Sequence, residues 1–534
     1  MIEQSSDSNP ARTAILVAGL TLLAAVLRFY RLGAWGMDSD EVFMQRDSIN
    51  LLFSNPRPLM YALNHYLVQP LLPLNELGIR LLPAVAGVLA VPAFYLVARR
   101  LVGARAALFG ALLVAASPLL VYYSQFGRYW TLVFLLSSIY PYALYLAIRD
   151  GDRRMLALGI VSGILAVLAH PVSVLLLGGL GLWLGLVYLR HGRLAELWRQ
   201  PAVRWGLLIS VILAVVIALR FIPMLQHWIS DHDKVPLSER GGEFLLHRPG
   251  GRGLKQVLLL LAYVVNLTPP LVLAGVLGLY LLWQGRDRPV ALLLIYLLCA
   301  QIAFIALVSI RTAVSTFYLV PAIPVLFVGA GVFLDRLAGI SLGVRPAWLL
   351  AAVVTFMILG AGTPTLISQY RDGQRWDFRG AARWLDGRLV PGDIVYSDQP
   401  QVMVHYLPGR QVYRLVADSA RLARAARLVP QQGGQALWIV SPAPSHAFRT
   451  NPKLSGLDDW MYGNCQLRNT IGVGRVDFRQ NFLQVYRCPP LTPRQVAQPR
   501  AAAAQDTTTR SAQPRSPVAS TPGPSSDSRP PRSE

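Results

Sequence analysis

Residues 13–30, TAILVAGLTLLAAVLRFY, form an apolar run with one charge, Arg28, near its end. Its length approaches the roughly 20 residues that a helix needs to cross a bilayer. The polar start through Arg12 leads into the run with no small-residue cleavage site behind it, which predicts a retained span and not a cleaved leader. Just beyond the run stands an acidic cluster, Asp38-Ser39-Asp40-Glu41.

The rest of the chain repeats the first half of this pattern. Hydrophobic residues make up 54% of the 534 positions and charged residues only 15%, with mean hydropathy +0.42. A soluble chain carries roughly 25% charged residues, so lipid is the expected solvent for much of this one. Further apolar runs near 80–98, 104–123, 129–148, 154–170, 172–189, 205–225, 268–284, 289–310, 316–334 and 347–367 bring the count to about eleven spans. The stretch Leu254 to Leu267 is shorter and reads as a surface helix leading into the eighth span.

The net charge of +22 could suggest nucleic acid. No basic helix or aromatic platform accompanies it, so no nucleic-acid partner is expected. The basic residues sit instead in alternate turns. With the N-terminus in the cytoplasm, inner turns carry groups such as Arg99, Arg100 and Arg105, or Arg149, Arg153 and Arg154. Short outer turns carry only Arg128 and Arg311. That is the positive-inside distribution, and an odd span count then places everything after Leu366 outside. Two long outer loops, 31–79 and 226–254, are rich in Trp, Tyr, His and Pro, and long loops in compact folds tend to be functional.

The expected fold class is therefore mainly α: a polytopic membrane helix bundle over residues 1–367, followed by an extracytoplasmic α/β domain over 368–490. Helical spacing from Trp376 to Leu389 and from Ser419 to Leu428 alternates there with strand-like Ile394 to Tyr396, Ala436 to Val440 and Phe482 to Tyr486. Cys465 and Cys488 share this domain and are candidates for a disulfide in an oxidising compartment; Cys299 lies in an apolar run, and no Cys-x-x-Cys metal spacing occurs. Residues 491–534, rich in Ala, Pro, Ser, Thr, Gln and Arg, cannot bury a core and read as a disordered tail.

The acidic cluster supports two compatible readings. Asp38 with Glu41 three residues on is a capping box at a helix start. Asp40 and Glu41 are also a carboxylate pair at the membrane–water boundary, suited to general-base work or to a divalent metal. Arg128 and Arg311, and more weakly Arg220 at the outer end of the seventh span, are either snorkelling helix-end residues or binders of an anionic headgroup such as a lipid phosphate. His170 precedes Pro171, which alone accounts for the helix break there. His65, in Asn64-His65-Tyr66, shares the first outer loop with the acids. Both histidines, with Asp38, are candidate donor or acceptor contacts.

Taken in order, these pieces resemble the C-type multi-spanning glycosyltransferases that use polyprenyl-phosphate sugars, in particular the bacterial protein O-mannosyltransferase and aminoarabinose-transferase group. The ordered set runs from Leu27-Arg28-Phe29 and Asp40-Glu41, through Arg80-Leu81-Leu82-Pro83-Ala84 and Val91 to Leu101, to Ser117-Pro118 and Tyr123-Ser124-Gln125 ahead of Arg128. It continues with Arg311, Tyr318 to Pro324, Asp377 to Ala382, and Pro391-Gly392-Asp393. The resemblance implies Asp40 as catalytic base with Glu41 beside it, and the arginines as clamps on the donor phosphate. Phe126 stands at the family's usual second acidic position and Gly127 at that of its small residue, so that acid's role in metal or acceptor binding is not carried over. The family's His-Pro-Pro-Leu-like stretch survives only as His65-Tyr66.

The implied reaction moves a sugar from a polyprenyl-phosphate donor to a hydroxyl of a lipid, glycan or protein acceptor, with inversion. The alternative is a polytopic lipid or sugar transporter or flippase. Transporters gather polar groups near the midplane at breaks in paired repeats, whereas here the span interiors are nearly free of charge.

Overall fold

In a computed structural model, the described residues are 10–51, 57–192, 194–199, 203–206, 269–285, 287–309, 316–339, 347–373, 376–415, 418–442, 457, 460–476 and 479–490, with four isolated positions between 208 and 219. The expected span 205–225, the loop 226–254, the surface helix 254–267 and the tail 491–534 lie outside them, apart from those isolated positions and residues 205–206.

Every other expected span meets a helix or a pair of short helices. Seven are long and apolar enough to cross a bilayer, or eight if one bent pair counts as a span. Helices Arg153–Ala169 and Pro269–Gln284, with 17 and 16 residues, are shorter. Helix α1 (Pro10–Phe29) shows why apolar surface need not be buried in protein: Ile15, Leu22 and Val26 are exposed, as suits lipid. Where helices do meet, small residues allow close approach. A Cβ on Gly278 would overlap the Gly329 carbonyl of the facing helix Ile323–Ala338.

The bent pair, Ala104–Ala116 and Pro118–Ser124, turns through 55°. Pro118 has no N–H to offer the carbonyl of Val114, four residues back. Fully buried Arg28 makes up that loss, donating to the carbonyls of Val114 at 2.9 Å and Ala115 at 2.7 Å. The bend delivers the chain to residues 125–128 at the end of the bundle that carries the acidic cluster.

The opposite end holds the arginine-rich turns. Arg100 pairs with Asp150 and Asp152, and Arg105 with Asp335. Between the two ends runs the helix Glu76–Val102, with 27 residues and a rise of about 40 Å.

The expected first outer loop, residues 31–79, is largely helical among its described residues. It contains α2 (Ser39–Ile49), α3 (Pro58–Leu63) and a π-turn over Asn64–Val68.

The C-terminal region, entered from helix Ala347–Asp372, holds a five-stranded sheet in the order β2-β1-β3-β5-β4. Strands β1 (Ile394–Ser397), β2 (Gln411–Arg414) and β3 (Leu437–Pro442) are parallel; β5 (Arg479–Cys488) runs antiparallel to β3 and to β4 (Gln466–Val476). The α/β character expected of this region is present. Val395, Trp438 and Val485 face one apolar core, Ile394, Ile439 and Tyr486 the other, so β1 and β3 are buried on both faces.

Two of the ordered sequence pieces are structural here. Asp377 caps helix Phe378–Asp386 by accepting the Gly380 N–H at 2.8 Å. Asp393 accepts the amides of Gln435 and Ala436 at 2.7 and 2.9 Å, and the Trp438 indole N–H at 3.0 Å. Cys465 and Cys488 are joined in a disulfide.

Candidate functional site

The acidic cluster opens α2, and its residues divide by depth. Asp38 is the N-cap: its carboxylate accepts the Glu41 N–H at 3.1 Å while that of Glu41 accepts the Asp38 N–H at 3.3 Å, completing the capping box. Glu41 is fully buried. Its Oε1 accepts from Arg80 Nε at 2.8 Å and the Gly127 amide at 2.7 Å, and its Oε2 from Arg80 Nη2 at 2.8 Å.

Arg80, equally buried, sends its other N–H groups to the carbonyls of Leu32, Trp35 and Gly36 at 3.2, 2.9 and 2.8 Å. Glu41, expected beside Asp40 in the acid–base chemistry, is thus placed in the interior, where Arg80 and backbone amides hold it. Both its oxygens are committed to Arg80 and backbone amides, away from solvent.

Gly127 is small for the same reason. A Cβ there would come within 3.1 Å of Glu41 Oε1 and 2.8 Å of Ile79. Phe126, at the family's second acidic position, is buried against Tyr122 and Phe317, in surroundings that would penalise a carboxylate.

Asp40, on the first turn of α2, keeps its side chain 44% exposed. Beside it lies Arg128, whose side chain is nearly buried. Arg128 Nη1 donates to the Asp40 carbonyl at 3.1 Å, and Nη2 lies 3.6 Å from Asp40 Oδ1 and 3.3 Å from the Tyr129 hydroxyl. Burial works against the charge on Arg128, but Tyr129 and Asp40 more than offset it and hold its pKa above the usual value.

Arg57 approaches Tyr129 as well, donating to its hydroxyl at 2.6 Å with the guanidinium 5.1 Å from the ring centre; the Arg128 guanidinium lies 5.0 Å from the same centre. One tyrosine thus gathers two cations beside Asp40. Tyr61 adds a neutral hydroxyl. Burial pushes its pKa up to about 12, against the pull of Arg128.

His170 closes this end. Its Nδ1 accepts the Val172 N–H at 3.1 Å, which leaves the proton of the neutral ring on Nε2. The ring packs on Trp130, Tyr129 and Tyr318, with centroids 4.8, 5.0 and 5.4 Å apart. Buried His170 Nε2 and Arg128 Nε have no hydrogen-bond partner among the described residues. Two unsatisfied donors beside one exposed carboxylate suit a ligand rich in oxygen acceptors.

The structure thus brings together Asp40, Arg128 and His170. His65 is elsewhere: its Nδ1 bonds the Ser48 carbonyl at 3.0 Å, about 12 Å along α2 from Asp40. Arg311 and Arg220 lie outside the described residues.

Sequence reasoning missed Arg57 and Tyr61, and it quoted Arg80 and Tyr318 in the ordered set without giving either a role. The criterion that picked out Arg128, a cation on the outer side, would have found Arg57 had it been applied to the long first loop.

A divalent metal does not fit this donor set. Glu41 is bound to Arg80, Asp38 to the helix cap, and Arg128 occupies the flank of Asp40; among the described residues no group of three His, Cys, Asp or Glu side chains converges.

Residues 56–219 match the family described as dolichyl-phosphate-mannose-protein mannosyltransferase. A comparison with curated protein sequences returns no match. Among solved structures, the chain is similar to ArnT from Cupriavidus metallidurans bound to undecaprenyl phosphate, with TM-score 0.53 and 16% identity, covering 90% of this chain and 98% of that one. It is also similar to the apo oligosaccharyltransferase of Archaeoglobus fulgidus, with TM-score 0.52 and 13% identity over 81% of this chain and 70% of that one. The same archaeal enzyme tethered to an acceptor peptide matches with TM-score 0.51 and 14% identity over 89% and 76%. The chain shares the fold of these solved structures.

Proposed function

We propose that this chain is a glycosyltransferase of the cytoplasmic membrane, moving a sugar from a polyprenyl-phosphate donor to an acceptor hydroxyl at the outer face. The observation that carries this reading is the contact between half-exposed Asp40 and nearly buried Arg128, at the end of the bundle opposite the arginine-rich turns. The fold shared with ArnT and the archaeal oligosaccharyltransferase supports it, and the positive-inside distribution supports an outer location for the site and the C-terminal sheet.

The division of labour follows from exposure and charge. Asp40 takes the proton of the acceptor hydroxyl as that oxygen forms its bond to the anomeric carbon. The bond from that carbon to the phosphate oxygen breaks, and the lipid phosphate leaves with the electron pair. Arg128, with Arg57 across the Tyr129 ring, neutralises the charge that develops on the leaving group. His170 Nε2–H supplies a neutral donor to a sugar or phosphate oxygen. Glu41 and Arg80 hold the start of α2 in place. A single displacement inverts the anomeric centre.

A transporter would need polar groups aligned through the bundle. Buried Arg28 is instead engaged through both Nη groups as a cap on the broken helix end, donating to the Val114 and Ala115 carbonyls. Mass spectrometry of envelope lipids, glycans and glycoproteins from cells with and without the chain tests the proposal. A sugar lost from one acceptor class is the expected result; identical profiles together with altered lipid distribution across the membrane would point to transport.

A further inference from the structure

Residues 34–37, the strap leading into α2, are gripped from two sides. From the membrane bundle, Arg80 holds the Trp35 and Gly36 carbonyls at 2.9 and 2.8 Å. From the outer region come two side chains. Arg379 donates to the Ala34 carbonyl and pairs with Glu76 at 3.1 Å. The hydroxyl of Tyr406, in helix Pro400–Tyr406, accepts the Met37 N–H at 2.7 Å and donates to Glu76 Oε1 at 2.8 Å. There is no slack in this grip, since a Cβ on Gly36 would stand 3.0 Å from that of Arg379 and 3.4 Å from the Tyr406 hydroxyl. Tyr406 and Val42 pack against both the bundle core and one core of the sheet region.

α2 has only 11 residues, too few to hold its own shape or direction without tertiary contacts. Its first turn carries Asp40, three residues after Met37. We infer that Tyr406 is a positioning residue: through Met37 the outer region fixes the entry of α2 and so the direction of the Asp40 carboxylate. This rests on the reading of Asp40 as base. The hydroxyl of Tyr406 touches neither Asp40 nor the arginines, so its effect should fall on turnover and not on phosphate binding.

The test uses the full chain in nanodiscs and the variants Tyr406→Phe and Gly36→Ala. Losing a hydrogen bond worth about 1 kcal/mol should speed amide exchange at residues 37–42 about five- to tenfold while β1 and β3 keep wild-type protection. Unchanged exchange at 37–42 in both variants overturns the inference. With polyprenyl-phosphate sugars extracted from bacterial membranes as donors, Tyr406→Phe should lower kcat by a similar factor, leave competition by undecaprenyl phosphate unchanged, and add nothing in an Asp40→Glu background. A parallel loss of undecaprenyl-phosphate affinity, or an additive effect with Asp40→Glu, would show a merely structural role. Should wild-type protein transfer no sugar, the proposed function fails, and the exchange result alone decides whether the outer region sets α2.

Discussion

Arg80 and Glu41 form a bidentate ion pair, each N···O distance 2.8 Å, with neither side chain reaching solvent. Removing one partner leaves an uncompensated charge in the interior, which typically costs about 3–5 kcal/mol. Arg80→Leu should therefore lower the thermal stability of the purified protein sharply. Arg80→Lys should not rescue it, because an ammonium cannot reproduce the planar fork that also reaches three carbonyls. A melting temperature within a degree or two of wild type in either variant would contradict this role.

Arg128→Gln and Arg57→Gln should each weaken binding of undecaprenyl phosphate. A hydrogen bond to a charged group is worth about 1.5–3 kcal/mol, so roughly ten- to hundredfold is expected for Arg128. Arg57 should give the smaller effect, since its link to the site runs through Tyr129. Binding can be followed by native mass spectrometry, with unchanged affinity in Arg128→Gln as the contrary outcome.

The disulfide between Cys465 and Cys488 spans 23 residues and ties the start of β4 to the end of β5. Replacing both cysteines by serine should destabilise the sheet region by about 2–4 kcal/mol while the bundle holds. Limited proteolysis should then cut within the C-terminal region and spare helix Glu76–Val102. Equal resistance of the variant and the wild type would argue against this.

Gly278 faces the Gly329 carbonyl, whereas a Cβ on Gly19 meets nothing within 4 Å. Gly278→Leu should cost at least about 1–3 kcal/mol through overpacking and lower the yield of monodisperse protein; Gly19→Leu should be tolerated. Size-exclusion profiles compare the two directly.

Much of this was legible in the sequence, for identifiable reasons. Spans announce themselves by apolar length, and the cap at Asp38 by its spacing to Glu41. The helix Ser419–Leu428 falls where its periodicity puts it. Strand β2, by contrast, reads Gln-Val-Tyr-Arg and lies at the sheet edge, exposed enough that no apolar run marks it. The helix Pro400–Tyr406 is too short to show a period.

Asp40 and Glu41 are neighbours in one cluster, and sequence cannot say which of them turns inward. About 100° of helix rotation separates them, and the deciding partner, Arg80, is 39 residues away from Glu41.

Asp40 remains the residue on which the account depends, and Asp40→Asn tests it most directly. Sugar transfer from polyprenyl-phosphate donors should be abolished, while melting temperature and undecaprenyl-phosphate binding stay near wild type. Transfer at the wild-type rate by a correctly folded Asp40→Asn protein would contradict the account.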